Sequence, residues 1–461
     1  MKKINLLLTA FITSSVIFAQ SSFENYYNQS GMQTYSIKQT ANLNYIVTGI
    51  KYNPNSILLL KISEFGDSLW SNNFTINGIG MNILIASDSG YVITGYNYPN
   101  NDIKLIKTDS SGNLQWDKTY GGTNNDFAYY ADITSDNGYV IVGTTESYGN
   151  GLKDLYILKT NNIGDSIWSK TYGGSNNDIG NCIQTTSDNG FIIVGTTNSF
   201  GAGQKDIWLI KTDMNGDTLW TKKYGGTNDD EGNYVQQTQD SGYVILGTTQ
   251  SFGSGIRNAY LIKTFINGDI EWTKTFTGNC PVTYGNNNLL GKSLKQTDDG
   301  GYILLTVAEP TLIRTNSVGD TLWTHSYHGL SSMNSSILSY HYDNDIQITN
   351  DSGYIFTGVA YTEFGEVIGT IVKTNSNGLI TSNTYFDLKD YKSIIISPNP
   401  TSGYCVITGY KIEKVEILDL KGKLLFIGNN NNINISFFET GIYIVRVTSN
   451  GNLFYSKVIK L

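Results

Sequence analysis

The sequence predicts an all-β protein: a seven-bladed β-propeller of four-stranded blades over residues 20–390, followed by a small C-terminal β-sandwich over residues 391–461. Three observations carry this expectation. The composition favours strands joined by tight turns, with 32 tyrosines, 49 glycines and 6 prolines in 461 residues. Two motifs recur at a spacing close to 52 residues through most of the chain. Near residue 391 that repeat stops, and period-two apolar runs divided by Gly and Asn take over.

Residues 1–19, MKKINLLLTAFITSSVIFA, combine Lys2 and Lys3, an apolar run and the small residue Ala19 ahead of Gln20, the layout of a secretory signal peptide. A membrane anchor is the alternative, but Thr9, Thr13, Ser14 and Ser15 interrupt a run already short of the roughly 20 residues that a span needs. No later segment is apolar enough to cross a bilayer, so the protein is expected not to span a membrane. Removal of the leader takes the formal charge from −8 to −10, which repels phosphate backbones and excludes nucleic acid as an expected partner. Cys182, Cys280 and Cys405 form no disulfide framework; a Cys182–Cys280 bridge and buried free thiols both remain open.

The first landmark of the repeat is a tryptophan after a Gly-Asp or Gly-Asn turn: Trp70, Trp116, Trp168, Trp220, Trp272 and Trp323, at steps of 46, 52, 52, 52 and 51 residues. The second is an aromatic that begins an apolar run after Asp-x-Gly: Tyr45, Tyr91, Tyr139, Phe191, Tyr243, Tyr302 and Tyr354. Seven copies are present; the first lacks Asp-x-Gly (NLNY) and the seventh lacks the tryptophan (NGLITSN). Each unit holds four strand-like runs, in the fourth copy NCIQTT (181–186), FIIVGTT (191–197), DIWLIKT (206–212) and LWTKKY (219–224). Asn189-Gly190 and Asn215-Gly216 are pairs that a two-residue type I′ turn favours. Four strands per period of roughly 40–55 residues make a propeller blade, which stays half-exposed until its neighbours stack on it. A large aromatic once per blade reads as inter-blade packing. The outer strand of the last blade is supplied either by the half-unit at 23–40 or by ITSNTYF, 380–386.

The run KTDMNGDTLWTKKYGG, 211–226, is similar to the tryptophan-docking repeat of PQQ-type propellers, and the repeat as a whole resembles those of secreted bacterial propellers. The resemblance implies shape only: the chain carries neither a vicinal cysteine pair nor a quinone-binding constellation, and no organic cofactor is expected.

In such blades the YGGTNDD-type loops share a rim with the SYGNGLKD (147–154) and SFGAGQKD (199–206) loops. Asp126, Asp178 and Asp230 would form an arc there, near Asp102, Asp154 and Asp206. These carboxylates suit either calcium or the capping of turns. Two insertions break the repeat on the same face, TGNCPVTYGNNNLLGK (277–292) and HGLSSMNSSILSYHYDND (328–345). They suggest a patch for an extracellular glycan or protein, with Tyr284, Tyr340, His341, Tyr342 and Asp343 as candidates; functionless insertion is the alternative.

Catalytic chemistry finds little support. The three histidines are His325, His328 and His341, and the odd separation of the first two points them to opposite faces of a strand. No nucleophile elbow, phosphate loop or Cys-x-x-Cys pair is present. Carboxylates meeting across blades, as in propeller hydrolases, keep an enzyme open as an alternative.

The tail carries in order Pro398-Asn399-Pro400-Thr401-Ser402-Gly403, Val415–Asp419 with Gly422-Lys423, Asn434–Ser436, Gly441-Ile442-Tyr443 with Val445 and Val447, and the basic end from Lys457 to Lys460. In this series it closely resembles the type A C-terminal sorting domain of type IX secretion cargo. The resemblance implies partners, the type IX machinery and its sortase, and a destination, the cell surface or the medium. Within that frame the expected function of the propeller is non-catalytic binding or adhesion. A surface spacer and an enzyme acting on polysaccharide are the alternatives.

Overall fold

The computed structural model describes residues 22–27, 31–254, 257–277, 289–307, 311–327, 345–361, 367–380, 395–397, 399, 401–408, 412–419, 423–449 and 452–461. The chain divides into two compact units, Met1–Asn383 and Thr384–Leu461.

The first unit is a ring of seven four-stranded antiparallel sheets. Blade 4 is typical, running from the axis outward as Asp178–Thr185, Phe191–Thr197, Asp206–Thr212 and Thr218–Tyr224. The two middle strands are buried along their whole length, because each blade is covered on both faces by its neighbours. The inner strand begins three residues before the expected NCIQTT run, at Asp178.

The hairpin turns differ from the expected type I′. At Ser187–Gly190 only Asn189 is left-handed (φ 63°), and in the outer hairpin only Gly216 is (φ 77°). Each is a three-residue loop that ends in a left-handed residue. The Asp-x-Gly aspartate sets this geometry: Asp188 accepts the Gly190 N–H at 3.0 Å and pairs with buried Lys211 at 2.9 Å. Gly190 is required because a Cβ there would lie 2.2 Å from the Thr212 carbonyl. The pair recurs as Asp88–Lys107, Asp136–Lys159, Asp240–Lys263, Asp299–Arg314 and Asp351–Lys373. Blade 1 lacks the aspartate, and there Lys61 donates to the Tyr91 hydroxyl at 3.0 Å.

The tryptophans join consecutive blades. Trp168 meets Phe191 of the next blade at 6.1 Å, and a Cβ on Gly216 of that blade would fall 2.8 Å from the indole. Trp70, Trp116, Trp220, Trp272 and Trp323 make the equivalent contacts with Tyr91, Tyr139, Tyr243, Tyr302 and Tyr354. Four residues beyond Trp168, Tyr172 donates to the Gly216 carbonyl at 2.5 Å, and Tyr224 and Tyr327 do the same to Gly268 and Gly378. Each blade therefore grips the outer turn of its successor.

Closure uses the first of the two expected strands. Phe23–Tyr27 pairs antiparallel with Val367–Thr374 and forms the outer strand of blade 7. Phe23 stands where the other blades have tryptophan, and Tyr27 and Asn25 donate to the Gly66 carbonyl of blade 1 at 2.6 and 2.8 Å. Covering that edge removes an exposed pairing template.

The second unit packs a three-stranded sheet, Ile395–Ser397, Tyr404–Thr408 and Asn432–Asn434, against a four-stranded one. The four-stranded sheet comprises Lys414–Leu418, Leu424–Gly428, Gly441–Ser449 and Asn452–Lys460. Cys405, Ile407, Val415, Ile417, Val445 and Val447 share its core.

Candidate functional site

Six inner strands carry a β-bulge at the same place, between Thr34/Ser36, Gly80/Asn82, Ala128/Tyr130, Gly180/Cys182, Gly232/Tyr234 and Gly291/Ser293. A bulge inserts one unpaired residue and redirects its side chain. The inserted residues are Tyr35, Met81, Tyr129, Asn181, Asn233 and Lys292, and all six line a cavity of about 170 Å³ on the propeller axis. The next residues inward, including Ser36, Asn82, Tyr130, Tyr234 and Ser293, join Asp345 of blade 7 in its wall.

These wall residues tie the inner strands together. Asn82 accepts the Ala131 N–H at 3.3 Å, Ser293 that of Ile346 at 3.3 Å, and Ser36 that of Ile83 at 3.3 Å. Asn181 and Asn233 donate to the carbonyls of Gly232 and Gly291 at 2.7 and 2.8 Å. Ring integrity and cavity lining thus come from the same side chains.

Beneath the mouth lies a polar network. Asp345 accepts from Lys38 and from Ser36, each at 2.9 Å. Burial works to raise its carboxyl, but the Lys38 and Lys295 charges outweigh that and hold it below the usual range. Lys295 donates to the Tyr234 hydroxyl, which lies 3.2 Å from that of Tyr130. Desolvation and the neighbouring Lys38 push the Lys295 ammonium down to about 8, against the pull of Asp345. Burial raises both tyrosines well above their ordinary range and takes the Cys182 thiol up to about 12. Cys182 and Cys405 are buried free thiols, and Cys280 lies outside the described residues.

The rim around the cavity has two characters. Over blades 2 and 3 it is aromatic: Tyr96 meets Phe127 edge-on at 5.0 Å and Tyr98 at 5.9 Å, and Phe127 stacks on Tyr129 at 6.2 Å. Over blades 4 to 6 it is polar and charged. Glu231 there binds Lys205 at 2.8 Å and Arg257. Burial raises the Glu231 carboxyl, but Lys205, Arg257 and Lys292 together lower it more.

The expected sharing of one rim by the two loop sets is seen in backbone bonds from Asp126, Asp178 and Asp230 to Asn101, Lys153 and Lys205. The three aspartates themselves open the inner strands and are fully buried, rather than standing in the loops. Asp178 accepts from Gly174 at 2.8 Å, from Ser199 at 2.6 Å and from Thr197. Asp126 and Asp230 hold Gly122 with Ser147 and Gly226 with Ser251 in the same way. Asp154 and Asp206 accept from Gly151 and Gly203 at 2.9 and 3.0 Å. Burial raises Asp102 and Asp206, helped by the facing Asp126 at the first and by Asp230 at the second. Capping describes what these carboxylates do. Among the described residues, no three His, Cys, Asp or Glu side chains converge as a metal ion would need.

Tyr284, Tyr340, His341, Tyr342 and Asp343 lie outside the described residues, as do His328 and residues 1–21. His325 rests on Trp323, with ring centroids 4.9 Å apart. In the second unit, Asn399 donates to the Lys457 carbonyl at 2.8 Å and accepts the Ile459 N–H at 2.9 Å. Gly403 passes so close to Ser436 that a Cβ would lie 2.8 Å from that of the serine. Tyr443 donates to the Glu439 carbonyl at 2.7 Å, Gly441 begins the same strand, and Lys460 is buried near the end of the last strand. Pro398 and Pro400 lie outside the described residues.

The channel residues carry a sequence signal that loop lengths concealed. Tyr35, Met81, Tyr129, Asn181, Asn233 and Lys292 each stand ten residues before the aromatic landmark of their copy.

Residues 396–461 match the family described as the secretion system C-terminal sorting domain. No curated protein matches the chain. Among solved structures, puromycin hydrolase aligns with 91% of this chain and 59% of its own, at 8% identity and a TM-score of 0.50. A catalytically inactive virginiamycin B lyase from Staphylococcus aureus aligns at 14% identity and a TM-score of 0.47, over 76% of this chain and 98% of the lyase. The Pan2 WD40 domain of Neurospora crassa aligns at 8% identity and a TM-score of 0.47, over 77% of this chain and 96% of that domain. At such identities the likeness concerns fold alone. The tail makes the chain secreted cargo of the type IX system, associated with the cell surface or outer membrane. Among the described residues no helix is long and apolar enough to cross a membrane.

Proposed function

We propose that this type IX secretion cargo is a non-catalytic binding module, and that its ligand seats at the mouth of the axial channel. The observation that carries the reading is a contrast within the repeat. Positions that pin the outer turns and the hairpins are nearly uniform: the tryptophan, the turn glycine beneath it and the Asp–Lys pair within each blade recur from blade to blade. Positions released by the bulges into the cavity instead read Tyr, Met, Tyr, Asn, Asn and Lys. A spacer needs no such variety, whereas a concave, mixed polar and aromatic cavity is the usual form of a ligand site.

The test is a glycan-array and cell-surface binding assay of residues 20–461, with Tyr35→Ala/Tyr129→Ala as the variant. Binding by the native chain that the double substitution abolishes, with thermal unfolding unchanged, is the expected result. Binding that survives the substitution but disappears when 328–345 is shortened would move the site to the loops. No binding in any format would favour the spacer.

A further inference from the structure

Resting on that reading, we infer that the channel mouth takes a saccharide bearing a carboxylate, one ring deep. Size comes first. About 170 Å³ is well under the roughly 300 Å³ at which pockets begin to enclose drug-sized ligands, so the cavity holds a single ring or the end of a chain. Its wall is then divided as a sugar acid is divided. Tyr35 and Tyr129 are bulge residues on one side, and Tyr129 continues outward through Phe127 to Tyr96 as one aromatic surface. Such a surface suits the C–H face of a pyranose. Opposite stand Asn181 and Asn233, each of which spends one amide N–H on the carbonyl of Gly232 or Gly291 and whose Oδ1 atoms would accept from ring hydroxyls.

Charge selects the acid. Among the described residues, two charged side chains line the cavity, Lys292 and Asp345. Asp345 is already engaged by Lys38 and Ser36 at 2.9 Å, so its charge is balanced inside the wall. Lys292 stands at the bulge level, where the aromatic and amide residues are, and its field reaches Glu231 with those of Lys205 and Arg257. A carboxylate on the sugar would take the side of the ring nearest Lys292 and share that cation with Glu231. A neutral sugar gains nothing there.

The experiment is calorimetric titration of residues 20–461 with glucuronate and galacturonate, with glucose and galactose as neutral counterparts and inorganic phosphate as a plain anion. The expected result is binding of a uronate at least tenfold tighter than that of its neutral counterpart, with phosphate inert. Lys292→Met should remove the preference for the acid, and Tyr129→Ala should weaken acid and neutral sugar alike. Thermal unfolding of each variant checks that the fold is intact. Equal affinity for acid and neutral sugars, phosphate binding equal to the uronates, or no sugar binding would overturn the inference. Array binding of some other ligand, lost in Tyr35→Ala/Tyr129→Ala, would then leave the binding module standing without its acidic saccharide.

Discussion

The Phe23 ring meets that of Tyr45 edge-on at 6.4 Å, closing the propeller with the contact that tryptophan makes at the six other blade junctions. The outer part of the closure is therefore non-covalent and built on one five-residue strand. Phe23 is 6% exposed and packs into a core shared by blades 7 and 1. Phe23→Ala should cost about 3–5 kcal/mol, the usual range for truncating a buried phenylalanine. Urea unfolding checks this, and Phe23→Trp should recover most of the loss by restoring the repeat's own residue.

Acid should weaken the hairpins through the Asp-x-Gly pairs. Thr297 and Arg314 hold Asp299 down to about 2, and Asp136 is taken to about 2 by bonds from Thr134, Lys159 and Gly138 that outweigh its desolvation. An unfolded aspartate titrates near ~3.9, so this stability is full above that value and is lost as pH falls from about 4 through about 2. Both side chains are more than half exposed, at 56% and 62%, so screening keeps each contribution small and salt reduces it further. Melting temperatures between pH 5 and 2 should fall less steeply for Asp136→Asn/Asp299→Asn than for the native chain.

Alkali should act through the latch tyrosines. Burial, and then nearby aspartates, raise Tyr120, Tyr172 and Tyr224 well above the ordinary value near ~10. Their folded-state values exceed the unfolded one, so the stability they provide is complete below about pH 10 and is lost above it. Lys295, lowered to about 8, acts with the opposite sign, its contribution rising with pH between about 8 and 10.4. A plateau followed by a steep fall above pH 10 is expected in melting temperature. Tyr172→Phe/Tyr224→Phe should blunt the fall, at about 1 kcal/mol per hydroxyl near neutrality.

Legibility in the sequence followed repetition. The tryptophans, the turn glycines and the Asp-x-Gly motif do the same work in each blade, and repetition made them visible. The strand that closes the ring was visible only as one of two candidates, because Phe23 replaces the tryptophan that marks the other outer strands. The turns depart from the type that Asn-Gly pairs favour because the Asp188 carboxylate folds the loop around itself. The channel was hidden by its bulges: one extra residue reverses the side-chain alternation, so a period-two reading places Tyr129 or Asn233 on the wrong face. Insertions drew attention to the loops, while the informative change was a substitution at constant spacing.

Export should depend on how the tail holds its own end. The Asn399 side chain binds the backbone of the last strand at Lys457 and Ile459, as a neighbouring strand would, and Thr401 continues that pairing to Leu461. A machine that recognises the folded sorting domain at its C-terminal strand needs that strand in place. Asn399 is exposed and lies outside the hydrophobic core, so Asn399→Ala should leave the sandwich folded and cost about 1 kcal/mol. The strand end would then fray locally. The expected outcome in cells is a shift of the protein from surface and medium toward the periplasm, short of the complete block expected on deleting 396–461. Fractionation with hydrogen exchange at 457–461 separates the possibilities. Normal export despite loss of protection at those amides would show that the machinery reads another part of the domain.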